Sequence, residues 1–139
     1  MKSDFDDSCQ RHWDDAEILF TNDRWANADH LYGFSAEGAL KCLMLAFGMP
    51  FDVLLDKPER SKDARHIELI WDRYESYHGN QHPAGTYTLS SANPFSDWHA
   101  SQRYANQNHF SRQIAEKHRD GAKLAKDVLK QAKIDGVVT

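Results

Sequence analysis

A chain of 139 residues with 40% hydrophobic, 12% aromatic and 27% charged side chains carries enough apolar material to bury a core as one domain, 1–139, and falls outside the disordered class. Its net charge of −4 argues against an indiscriminate polyanion binder, yet residues 1–98 hold 9 basic and 17 acidic side chains whereas residues 99–139 hold 8 basic and 4 acidic. The last quarter can therefore present a basic surface to phosphate, or simply a solvated helix face.

The N-terminal stretch MKSDFDDSCQRHWDD is acidic and lacks the apolar segment of a signal peptide, and no run approaches the ~18 apolar residues of a membrane span, which predicts a cytoplasmic protein without a membrane contact. From about Asp6 to Phe20, the residues Trp13, Ala16, Leu19 and Phe20 recur at helical spacing behind early acids that favour the helix dipole. Asn22-Asp23 interrupts. The run Trp25 to Phe47 then resumes the period with Ala28, Leu31, Tyr32, Ser35, Ala39, Cys42, Leu43 and Ala46, and stops at Gly48 with Pro50 following. Its small residues Gly33, Ser35, Ala36, Gly38 and Ala39 invite close approach by a neighbouring helix, and Glu37 stands one turn before Lys41 in the favourable orientation. Cys9 and Cys42 have no Cys-x-x-Cys spacing, so neither a zinc knuckle nor a disulfide framework is expected.

Residues 48–62 read as a loop with one short turn, and Asp63 as the cap of a third helix running to about His78 with an aromatic inner face of Trp71, Tyr74 and Tyr77. The stretch 79–97 is rich in Gly, Pro, Ser and Asn and long for an inert connection, and Tyr87 to Leu89 is too brief for a strand. Residues 99–111 read as a short helix or an ordered loop. A last helix from Arg112 to Ile134 carries the stripe Ile114, His118, Gly121, Ala125, Val128 and Ala132, with Lys123, Lys126, Lys130 and Lys133 away from it. The expected fold is all-α, an up-and-down bundle of four to five helices.

Residues 12–44 contain Asp15-Ala16, a turn, Ala28 to Leu31, and Ala36 to Lys41. This segment resembles the opening helical pair of HEPN domains, and AEKHRDGAKLAKDVLKQA resembles their last helix; residues 48–98 match less clearly. The resemblance implies a HEPN-like bundle, often a homodimer, that is either a metal-independent endoribonuclease or a non-catalytic module binding a nucleotide or a partner protein such as a nucleotidyltransferase. Many such proteins belong to toxin–antitoxin or defence systems. Catalytic members carry Arg-x(4–6)-His ahead of or within the last helical region.

That pattern occurs five times here, as Arg24/His30, Arg60/His66, Arg73/His78, Arg103/His109 and Arg112/His118, so position must decide. Arg103/His109 lies just before the last helix and ranks first; Arg112/His118 is the second choice. Tyr104 follows Arg103, where active relatives commonly carry a small polar residue or histidine. RNA cleavage without metal needs a base for the 2′-hydroxyl and a cation for the charge developing at phosphorus. His109 suits the first task and Arg103 the second, with two protomers bringing their pairs together; the alternative is that Arg103 pairs with an acid and His109 decorates a loop. His66 reads better as a core or capping residue, and His78 and His82, spanning Gly79, do not suit a metal. The Trp and Tyr residues could stack on bases but sit at core spacing, and a small-molecule site among them would require an apolar cavity between the second and third helices. No Gly-x-Gly-x-x-Gly, Walker, His-Glu-x-x-His or Gly-x-Ser-x-Gly motif occurs, so no cofactor and no metal are expected, and RNA or a nucleotide is the expected partner.

Overall fold

In a computed structural model, which describes residues 1–81, 86–90 and 92–139, the small residues of the second apolar run decide the architecture. Helix α1 (Phe5–Thr21) begins at Asp4, whose carboxylate accepts from Asp7 N–H at 2.9 Å, and turns at Asn22 into α2 (Trp25–Ala46). Gly38 lies so close to α1 that a Cβ there would stand 2.9 Å from both Cys9 N and Phe5 O, and the Ser35 hydroxyl donates to Cys9 O at 2.8 Å. Backbone meets backbone, as the run of small side chains implies. Gly48, at φ 97°, ends α2, and the expected Glu37–Lys41 pair forms at 3.3 Å.

Helix α2 is the central element, packing against α1, α3 (Ile67–Gln81) and α4 (Arg112–Ile134), whereas α1 and α4 touch only lightly. Tyr32, Leu40, Leu43, Met44, Ile67, Ile70, Tyr74, Phe95 and Trp98 are buried between them. The molecule is an all-α helical bundle. Among the described residues no helix is long and apolar enough to cross a membrane, and both cysteines are free.

Three local expectations are corrected. Residues 48–62 hold a two-stranded antiparallel ribbon, β1 (Phe51–Asp52) and β2 (Lys57–Pro58), with Phe51 opposite Pro58. Asp63 does not cap α3: it closes a 3₁₀ turn (Ser61–Asp63), is fully buried, and accepts from Arg73 Nε at 2.7 Å and from the Tyr77 hydroxyl. A buried carboxylate is held by donors about two and about three turns into α3 in preference to capping it. Finally, α3 continues through Gly79 to Gln81; His82 lies outside the described residues. The last helix has the expected bounds, with Ser111 Oγ accepting from Ile114 N–H at 3.3 Å. Tyr32, Trp71, Tyr74, Tyr77 and Trp98 are buried, which is the core role their spacing suggests, whereas Trp13 and Trp25 are half-buried at its edge.

Candidate functional site: a histidine groove above a buried carboxylate–imidazole pair

The segment joining α3 to α4 is fixed to the bundle by aromatic anchors. Phe95 and Trp98 are fully buried, and Trp98 Nε1 donates to Asp29 O at 3.3 Å while its ring stacks on His30 at 5.4 Å. The indole fits because residue 33 is glycine: a Cβ there would fall 2.1 Å from Trp98 Cε2. Asn93 bonds the carbonyl of Glu68 in α3 and accepts from Phe95 N–H, closing the turn that leads to Trp98. Beyond it, two 3₁₀ turns, Ala100–Tyr104 and Gln107–His109, pack residues 99–110 against α2, and with Ile114 and His118 of α4 they share a groove.

Between this segment and the two helices lies a groove of about 390 Å³, where His99, Ser101 and His109 are exposed and Asp29 and His118 are buried. A continuous polar chain runs beneath it. Gln102 accepts from His99 N–H at 3.1 Å and donates to Asp29 Oδ1 at 2.5 Å. Asp29 Oδ2 lies 2.5 Å from His118 Nδ1, His118 Nε2 lies 2.9 Å from Asp97 Oδ1, and Lys117 Nζ donates to Asp97 Oδ2 at 2.6 Å. Ionised carboxylates only accept, so both contacts to the imidazole are hydrogen bonds when both ring nitrogens carry a proton. Phe95 stacks on the ring at 5.2 Å and fixes its plane. The imidazole separates the two carboxylates, and among the described residues no group of three His, Cys, Asp or Glu side chains is arranged to hold a metal ion.

Burial and hydrogen bonding together set the electrostatics. Burial pushes the Asp97 carboxyl up, but hydrogen bonds from Lys117 and His118 outweigh it and hold the group below its ordinary range. His30, half-buried against Trp98, is held below the ordinary histidine value by burial first and by the nearby Arg103 cation second.

Of the four residues singled out by the sequence, His109 and His118 line this one groove and Arg103 and Arg112 do not. His109 is exposed and makes no side-chain hydrogen bond with the described residues. Arg103 is exposed in the preceding turn, its guanidinium donating to Ala100 O at 2.8 Å and lying 4.6 Å from the Tyr104 ring centroid. Among the described residues it pairs with no acid. Arg112 opens α4 and stacks over Phe20 at 5.6 Å. His118 is enclosed, with both ring nitrogens already engaged. The basic face of α4 is partly compensated: Arg119 forms a two-pronged pair with Glu17 at 2.6 and 2.9 Å, Lys133 meets Asp6, and Lys123 meets Asp127.

Sequence reasoning missed Asp29, Asp97, Gln102 and Lys117. Asp29 left a signal, since an acid standing three and four positions before Tyr32 and Gly33 shares the apolar face of α2 and therefore needs a buried partner. Asp97 and Gln102, in an irregular segment, left none. Comparison with known proteins finds no family model, no curated protein and no solved structure that matches the chain.

Proposed function

We propose that the chain is a HEPN-like bundle that acts on RNA as a metal-independent endoribonuclease. The observation that carries this reading is His109: of the five histidines in the Arg-x(4–6)-His pattern, it is the one that is both exposed and without a side-chain hydrogen bond to the described residues, and it stands in a groove. His109 takes the 2′-hydroxyl proton as that oxygen attacks phosphorus, a cyclic 2′,3′-phosphate forms and the 5′-oxygen leaves with a proton from solvent, while Arg103, which pairs with no acid among the described residues, clamps the phosphate from the adjoining turn. Because Arg103 is outside the groove lining, the substrate strand crosses the Ala100–Tyr104 turn to meet both groups, and a homodimer would set two such pairs side by side. A role in a toxin–antitoxin or defence pair, beside a nucleotidyltransferase-type partner, accords with this reading.

The position of Arg103 also favours a second reading, a non-catalytic module that binds a nucleotide or partner protein through the exposed 99–110 segment. Mixed RNA incubated with purified protein in EDTA separates the two. Cleavage by wild type that falls by about 100-fold or more in an Arg103→Ala/His109→Ala variant of unchanged helicity supports the ribonuclease. Clean protein that cleaves none of a varied set of RNAs supports the binding module.

A further inference from the structure

The geometry points to a phosphate-binding position at the edge of the groove, now filled by the carboxylate of Asp97, whose two donors are His118 Nε2 and Lys117 Nζ. The two donors come from consecutive residues of α4 and grip separate oxygens of one carboxylate, at 2.9 and 2.6 Å. Two oxygens of a phosphate monoester or diester span a similar gap, so the same pair of donors suits the anion without rearrangement. One side of the site is rigid and the other is not. His118 is buried, anchored from behind by Asp29 and stacked on Phe95, so its Nε2 stays aimed at the same point whether or not Asp97 is there. Asp97 and Lys117 are half-exposed, with side chains 51% and 47% accessible, and both can swing into solvent.

A carboxylate in this place has two effects. It satisfies His118 and Lys117 in the unliganded protein, and it competes with any incoming anion, so that wild-type affinity for phosphate is low until a substrate with further contacts displaces it. That the displacing anion is a phosphate of RNA rests on the function proposed above; the seat itself requires only a tetrahedral oxyanion of phosphate type.

The test is titration of full-length protein with inorganic phosphate, followed by the side-chain resonances of the histidines. It is made on wild type, Asp97→Asn, Asp97→Ser, and Asp97→Asn combined with Lys117→Ala. Removing the charge of Asp97 is expected to tighten phosphate binding by about tenfold or more, with the His118 resonance moving, and Lys117→Ala is expected to abolish the gain. The inference is overturned if both folded Asp97 variants bind phosphate no more tightly than wild type, or if the gain persists without Lys117. It is equally overturned if neither variant folds, since the carboxylate would then be a strut of the fold. A gain in phosphate binding by a protein that cleaves no RNA keeps the seat and removes the ribonuclease; RNA cleavage without the gain does the reverse.

Discussion

Asp29 is the residue whose replacement reads out the buried network most directly. Its carboxylate is fully buried and accepts from Gln102 Nε2 and His118 Nδ1, both at 2.5 Å. Asp29→Ala leaves a buried imidazole nitrogen and an amide without an acceptor, a loss of about 3–5 kcal/mol by comparison with other broken buried pairs. Asp29→Asn behaves differently. Its oxygen can still accept from Gln102, and its NH₂ can donate to His118 Nδ1 in the neutral tautomer that keeps Nε2–H directed at Asp97, so the cost falls to about 1 kcal/mol. For a chain of this length about 4 °C in melting temperature corresponds to 1 kcal/mol, which gives a drop of roughly 12–20 °C for Ala and roughly 4 °C for Asn. Thermal unfolding followed by far-ultraviolet circular dichroism at neutral pH measures both. Variants melting within about 3 °C of each other, or an Ala variant as stable as wild type, would refute the claim that hydrogen-bond satisfaction holds this site together.

Three further outcomes are expected. Gly33→Ala would gain about 1 kcal/mol if helix propensity alone mattered, but the added methyl meets the buried Trp98 indole, so a net loss of about 1–3 kcal/mol with a changed tryptophan emission is expected in urea unfolding. Glu17 is held below the ordinary carboxylate range chiefly by the hydrogen bonds from Arg119, so its stabilisation is complete above the unfolded carboxyl value and is lost as pH falls through the lower, folded one. Glu17→Gln should therefore cost about 1 kcal/mol at pH 7, discounted because both side chains are about one-third exposed, and converge on wild type in acid. His66 is raised above its ordinary value first by its hydrogen bond to Glu37, so that pair stabilises fully below the unfolded histidine value of ~6.5 and is lost as pH rises through the folded one. Because His66 is half-exposed, Glu37→Gln should narrow the stability difference between pH 5 and pH 9 by only a few tenths of a kcal/mol, read from urea midpoints.

Periodicity made the helices legible because each buries one face continuously. The bounds of α4 coincide with the apolar stripe behind Ser111, and Gly48 stops α2 in the left-handed conformation that its residue type allows. Asp63 misled because an acid ahead of an apolar run reads as a cap, whereas here it is buried and satisfied by Arg73 and Tyr77. The site was half legible for a related reason. His109 and His118 belong to a local pattern, but the partners that define their surroundings are 21 and 89 residues from His118 in sequence, and no local spacing encodes such pairs.

The five Arg-x(4–6)-His matches show why the pattern needs a structure before it means anything. His30 is half-buried against Trp98, His66 is bonded to Glu37, His78 contacts the carbonyl of Thr86, and His118 lies between two carboxylates. His66, His78 and His118 are thus already bonded within the fold, and His30 is held against Trp98 with its buried Nδ1 lacking a hydrogen-bond partner among the described residues. His109 is left available, and it shares a groove with His118, whose ring cannot leave its seat between Asp29 and Phe95. An accessible imidazole on a short 3₁₀ turn and a fixed one on a long helix suit different tasks: the first can move a proton to or from a ligand, and the second can only hold one in place. On this division, substitutions at His109 should change turnover with the fold intact, whereas substitutions at His118 should change stability and anion affinity together.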